Sequence, residues 1–210
     1  MGLVPVVAPV LGIESLPAEL PEPGGLRAIL ATSGNAIAAI PPGWRGLPLL
    51  AVGDATARRA RAAGFAEVES AGGDGDALAS LIASRLPPSG PPLLLASGLG
   101  QGEALAEALR ARGFAVIRRE VYAARPVPGL PEAARLALDG PCLRAAMFFS
   151  AETARVFAEL VGAASRTHQA AGVEALAIGP PAGMALSVLP WRAVRIAARP
   201  TQDEMLALLR

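Results

Sequence analysis

Five short polar runs fall where an apolar stretch gives way to a helix-forming one. They are Thr32-Ser33-Gly34-Asn35, Gly53-Asp54-Ala55-Thr56, Ser97-Gly98-Leu99, Ser150-Ala151 and Gly179-Pro180. Small hydroxyl, amide and glycine residues at such points leave backbone N–H groups uncovered at the positive end of a helix. That arrangement suits carboxylate or phosphate ligands. The same residue types also cap helices with no ligand present. One turn alone is explained by capping; five turns at the carboxyl edges of parallel sheets are better explained as a binding site.

Tyr122 is the only tyrosine. Its phenol could donate a proton or a hydrogen bond beside a bound ligand, or its ring could simply pack across strands. Asp54, near a helix start, most simply complements the helix dipole. The run Gly98-Leu99-Gly100-Gln101-Gly102 approximates a dinucleotide-binding turn, and Glu120 follows about twenty residues on, where a ribose contact would lie. Glu103, however, stands where the third glycine belongs. No paired carboxylates and no nucleophile–base pair stand out, so an enzyme built this way works mainly by binding and orienting its substrate.

Composition narrows the chemistry. All 19 basic residues are arginine, and the net charge is +1. Without lysine, a Walker A phosphate loop and Schiff-base catalysis are both excluded. No basic stripe marks a nucleic-acid surface. A lone cysteine, Cys142, forms no intramolecular disulfide, and with the lone histidine, His168, it makes no metal site. His168 lies in a polar stretch, SRTHQ, and reads as an exposed loop residue. The apolar start has no basic leader region, and Pro5 and Pro9 interrupt it. The uncharged run Ala175 to Trp191 is too short and too broken by Pro180 and Pro181 to span a membrane as a helix. We expect a cytoplasmic protein with no metal, no organic cofactor, no membrane and no nucleic-acid partner.

The elements that position these residues follow from hydrophobic pattern. Continuous apolar runs at Leu26–Ala31, Leu47–Val52, Leu93–Ala96, Leu143–Phe149 and Val173–Ile178 read as buried strands, with shorter ones at Ala66–Glu69 and Ala193–Ala197. Each leads into a helix with Ser, Thr, Asp or Gly at its start. Strands alternating with helices of this length give an α/β fold of parallel sheets covered on both faces. Two longer extended segments, about 4–14 and 114–126, frame one α/β block. They predict two strands crossing between two domains, one of residues 1–8 and 124–210, the other of residues 9–123, with a reaction cleft beside them.

The two blocks repeat. LRAILATSGNA (26–36) parallels LRAAMFFSAETA (143–154), LLAVGDATA (49–57) parallels ALAIGPPAG (175–183), and DALASLI (76–82) parallels DEMLALL (203–209). Internal duplication explains the register of Ser33 with Ser150 and of Gly53 with Gly179. The strand–turn–helix–strand unit Leu93 to Tyr122 finds only its closing part in Gly2 to Val7. The duplication therefore predicts an opening strand and helix, roughly 30 residues for such a unit, that this chain lacks.

Taken in order, these motifs resemble the uroporphyrinogen-III synthase family. They are Thr32, Ser33, Asn35 and Ala36; Val52, Gly53, Thr56 and Ala57; Gly75, Leu78 and Ile82; and Leu109, Gly113, Val116, Val121 and Tyr122. Phe148, Phe149 and Ser150 follow, then Ile178, Gly179 and Pro180, and finally Pro200, Thr201, Met205 and Leu206. The resemblance implies two similar flavodoxin-like or Rossmann-like parallel-sheet domains joined by a two-stranded β-ladder, with the active site in the cleft. It implies a monomeric, cofactor-free lyase that cyclises linear hydroxymethylbilane, inverting ring D and losing water. The family reaction is thought to pass through an azafulvene on ring A and a spiro intermediate. Tyr122 matches the family tyrosine proposed to assist departure of the hydroxyl group, and Thr56 matches a threonine of the cleft. The candidate substrate contacts are thus Thr32, Ser33, Asn35, Gly53, Thr56, Ser97, Gly98, Ser150, Gly179 and Pro180. After Ile178-Gly179-Pro180 the family usually carries threonine, whereas Pro181 and Ala182 follow here. Two further function classes fit the residues themselves: a non-catalytic two-lobed binder of a small anion, and a nucleotide-dependent oxidoreductase using the glycine turn.

Overall fold

Prolines limit how the chain begins. The computed structural model describes residues 2–210, and its first strand, β1, spans only Leu11–Ser15. The extended stretch before it carries Pro5 and Pro9, which have no N–H for a ladder. The regular part is therefore shorter than the 4–14 expected from its apolar pattern.

From there the chain alternates: β2 (Ala28–Ala31), α1 (Gly34–Ile37), β3 (Leu49–Ala51), α2 (Asp54–Ala62), β4 (Val68–Ser70), α3 (Gly75–Arg85), β5 (Leu93–Gly98), α4 (Glu103–Ala111) and β6 (Val116–Pro126). Then come α5 (Glu132–Asp139), β7 (Ala145–Phe148), α6 (Ala151–Ala163), β8 (Glu174–Ala177), α7 (Pro180–Leu186), β9 (Ala193–Ile196) and α8 (Gln202–Ala207). Two compact units result. One comprises Ile13–Ala124, and the other the residues up to Gly12 together with Arg125–Arg210. The chain thus passes between units twice, once within β1 and once within β6.

In the Ile13–Ala124 unit the strand order is β1-β6-β5-β2-β3-β4, and β2 to β6 pair in parallel. Leu16 N–H donates to Val121 O and Val127 N–H to Val10 O, each at 3.0 Å, so β1 and β6 run antiparallel. Side chains alternate across the sheet. Ile29, Ala31, Leu49, Ala51, Leu94 and Ala96 face a core with α1 and α2. Ala28, Leu30, Leu50, Leu93 and Leu95 face a second core with α3 and α4. Burial on both faces explains the unbroken apolar runs of β2 and β5.

The other unit carries a parallel sheet in the order β7-β8-β9. Phe148, Ala175 and Ala177 pack with α5, α6 and α7 on one face. Leu176 packs with Met205 of α8 on the other. Phe148, Phe157 and Trp191 form an aromatic cluster with centroids 5.1–6.1 Å apart, and the Trp191 indole N–H donates to Leu186 O at 3.0 Å. His168 falls in a 3-10 helix, Thr167–Gly172, and Cys142 is exposed. No helix among the described residues is long and apolar enough to cross a membrane.

Candidate functional site

Strand order decides where a ligand can enter. The β2, β3 and β4 strands succeed one another in one direction, and β5 returns to the opposite side of β2. The helices after β2 and β5 accordingly lie on opposite faces of the sheet. Their starting turns therefore stand on opposite faces at the carboxyl ends of the strands, the topological switch point at which open α/β sheets take ligands.

On the β2 side, Thr32 follows the strand and Ser33 caps α1, accepting from Asn35 N–H at 3.2 Å. The Asn35 Oδ1 accepts from Arg59 Nη1 at 3.1 Å. Next to it, Gly53 opens α2 without any side-chain cap, so the first N–H groups of that helix face the sheet edge uncovered. Thr56 lies within α2 and is only 7 % exposed. By contrast, Asp74 caps α3 with its own carboxylate, accepting from Asp76 and Ala77 N–H.

On the β5 side the glycine run forms the turn into α4. Hydrogen bonds to β6 and within the turn seat it. Leu99 N–H donates to Tyr122 O at 2.8 Å, Gly100 N–H to Glu120 Oε1 at 2.9 Å, and Arg118 Nη1 to Gln101 O at 2.9 Å. Gln101 N–H closes the turn on Gly98 O. The Arg118 guanidinium also bonds Glu120 at 2.9 Å and Glu103 at 2.7 Å. Hydrogen bonds from Arg118, and then from Gly100 N–H, hold the Glu120 carboxyl below the usual carboxylate range. Glu120 is thus spent on the turn itself. It takes the N–H that a nucleotide phosphate would need, so the ribose-contact expectation gives way to an internal brace.

Tyr122 reaches this turn through an irregularity. Ser97 pairs with Glu120, but Gly98 pairs with Tyr122, so β6 carries one extra residue at Val121. Such a bulge re-aims the side chains that follow it. Val121 and Tyr122 both join the α1/α2 core, and Tyr122 is 4 % exposed. Its hydroxyl donates to Gln101 Oε1 at 3.3 Å. Packing and hydrogen bonding therefore act on the same ring.

Ser97 requires a correction. It belongs to β5 rather than to a turn, as does the buried Gly98 after it, which pairs with Tyr122; Ser97 has no exposed surface, and its hydroxyl donates to Arg119 O at 3.4 Å. A residue so placed braces the β5–β6 pair and cannot touch a ligand.

In the second unit, Ser150 caps α6, accepting from Thr153 N–H at 3.0 Å and donating to Thr153 Oγ1 at 2.8 Å. Gly179 opens α7, with Pro180 and Pro181 as its first residues. Neither proline has an N–H, and the next two donors, of Ala182 and Gly183, are turned back onto Gly179 O. The first four residues of α7 therefore offer no free N–H, contrary to what the place of the Gly179-Pro180 turn at the strand end suggests. Instead the turn walls an apolar pocket of about 390 Å³ with Ala151, Ile178, Ala197 and Pro200. A second pocket, of about 450 Å³, lies at the amino ends of β2 and β3, away from these turns; its Arg85 and Glu69 pair with each other at 2.6 Å. Among the described residues no cluster of three or more His, Cys, Asp or Glu could hold a metal ion.

Sequence comparison extends these findings to the whole chain. The family described as uroporphyrinogen-III synthase HemD matches residues 1–207. The chain belongs to the uroporphyrinogen-III synthase family. No protein with a curated description matches it significantly. Among solved structures, the uroporphyrinogen-III synthetase of Helicobacter pylori 26695 is similar, with 19 % identity and a TM-score of 0.66. That alignment covers 95 % of this chain and 89 % of that one, and it shows a shared fold. A mutant uroporphyrinogen III synthase of the extremely thermophilic bacterium Thermus thermophilus aligns with 23 % identity, covering 96 % and 86 % of the two chains, with a TM-score of 0.48. Members of this family are enzymes, lyase-type cyclases of tetrapyrrole biosynthesis.

Gln101 is the residue that sequence reasoning passed over. Its only local signal is its position between two glycines; its partner lies 21 residues away and is set by the β6 bulge.

Proposed function

We propose that this chain cyclises hydroxymethylbilane to uroporphyrinogen III, inverting ring D and releasing water. The observation that carries the reading is the family match over residues 1–207. The geometry supports it chemically. The substrate bears acetate and propionate carboxylates, and the uncapped start of α2 beside Ser33 and Asn35 presents N–H donors and a favourable dipole. Within the other unit, the apolar pocket walled by Ile178, Gly179, Pro180 and Pro181 offers carbon surface of the kind a pyrrole ring packs on.

Tyr122 acts as the acid in this reading. Its phenol gives a proton to the departing hydroxyl, which leaves as water, while the pyrrole nitrogen lone pair forms the azafulvene. The ring-closing steps then return a proton. The enzyme needs no organic cofactor or metal for this, acts as a monomer and resides in the cytoplasm.

The test supplies enzymatically generated hydroxymethylbilane and identifies the isomer formed. Type III product is expected; type I alone, the spontaneous outcome, overturns the proposal. Tyr122→Phe should lower kcat by about 10²-fold, as loss of a general acid does, with a far smaller change in thermal stability. Full turnover by that variant removes the phenol from the mechanism.

A further inference from the structure

We infer that Gln101 is a positioning residue that holds the Tyr122 phenol ready for proton donation. The inference rests on the reading of Tyr122 as the acid, and it concerns a residue outside the family motifs.

Three observations carry it. First, the backbone of Gln101 is fixed at both ends, its N–H on Gly98 O and its C=O accepting from Arg118. Only its side chain is left to adjust, and that side chain reaches the phenol. Second, the ring has nowhere else to go. It is packed in the α1/α2 core with Ile29, Ala31, Ala36 and Leu94, and Gly98 comes so close that a Cβ there would lie 2.8 Å from Tyr122 Cζ and 2.9 Å from Gln101 Oε1. The bulge in β6 sets this approach. Third, the hydroxyl contact is 3.3 Å, long for an O–H···O bond. Such a bond satisfies a buried hydroxyl at rest but is readily exchanged for a better acceptor. Gln101 therefore parks the phenolic proton without locking it. A departing substrate hydroxyl can take the proton, and the carboxamide, which does not itself titrate, stays as the guide.

The experiment measures kcat and KM for hydroxymethylbilane in Gln101→Leu, Gln101→Asn, Gln101→Glu, Tyr122→Phe and the double variant Gln101→Leu/Tyr122→Phe. Thermal unfolding of each is recorded alongside. Gln101→Leu is expected to lower kcat about tenfold, the scale of one neutral hydrogen bond, with KM nearly unchanged. Gln101→Asn, which keeps the amide but falls short of the phenol, should behave the same way and preserves a polar turn should the leucine variant fold poorly. Gln101→Glu restores an acceptor of the right reach beside Arg118 and should recover most of kcat. In the Tyr122→Phe background, adding Gln101→Leu should cost nothing further.

Additive losses in the double variant overturn the inference, since Gln101 would then act by another route. Wild-type kcat in Gln101→Leu and Gln101→Asn overturns it as well, while an impaired Tyr122→Phe leaves the acid reading standing. A fully active Tyr122→Phe overturns the acid reading and this inference with it, a pattern distinct from the other two.

Discussion

Gly98 owes its identity to its neighbours across the sheet. A methyl group there would press on the Tyr122 ring, which is already packed in the α1/α2 core. Gly98→Ala should cost about 1–3 kcal/mol, the usual range for overpacking a filled core, measured by urea unfolding, and should displace Gln101 from the phenol. Tyr122 stands out in the chain alone, because a single tyrosine on a long strand after a glycine-rich turn is conspicuous, and its place on β6 is as the apolar pattern predicts. Its burial was also foreseeable, since tyrosine packs well in sheets. What could not be read was the partnership with Gln101, because a one-residue shift in strand register leaves no trace in hydrophobic pattern. Ser97 misleads for the opposite reason. A small polar residue after an apolar run looks like a turn, yet its bond to Arg119 O keeps it inside the sheet.

At the scale of elements, the β5–α4 turn shows how a glycine-rich loop can be internally satisfied. Its Gly100 N–H is committed to Glu120, and Arg118 ties the same carboxylate to Glu103. The folded Glu120 carboxyl is held below its ordinary range, so its brace is complete at neutral pH. It persists as pH falls past the unfolded value and is lost only as pH drops through the lower folded one. The amide proton of Gly100 should report this in an NMR titration, with a midpoint below the range of an ordinary glutamate. Arg118→Ala should move that midpoint upward; an unchanged midpoint would assign the shift to Gly100 alone. The α7 start teaches the converse lesson. Its place after β8 was readable from Gly179, and so was its helix, because proline is well suited to a first turn. Its lack of donors follows from Pro180, Pro181 and the closed turn on Gly179 O together. Ligand chemistry at a strand end therefore depends on the first four residues of the helix and not on the turn glycine alone.

Across the whole molecule, duplication is visible in caps as well as in sequence. Ser33 and Ser150 each accept an N–H from the helix they open, and Gly53 and Gly179 each open a helix in extended conformation with no side-chain cap. The strand successions β2-β3-β4 and β7-β8-β9 are both parallel and consecutive. These regularities were readable because doubly covered parallel strands are uninterrupted apolar runs. Strand ends were less so, since proline and capping residues trim them. Each unit has its own cores. Phe157→Ala removes the centre of the Phe148–Phe157–Trp191 cluster and should cost about 3–5 kcal/mol. Hydrogen exchange should then accelerate in β7 and β8 while the amides of β2 and β5 keep their protection. Equal acceleration in both sheets would show that the cores unfold as one.

The scarcity of aromatic hydroxyls has a practical consequence. Because the chain holds one tyrosine, supplying isotope-labelled tyrosine during expression places a single aromatic spin system in the entire protein. That spin system lies over Gly98 and against Gln101. The molecule thus carries its own reporter, and any ligand settling at the β5–α4 turn would announce itself in one resonance, without assignment of any other.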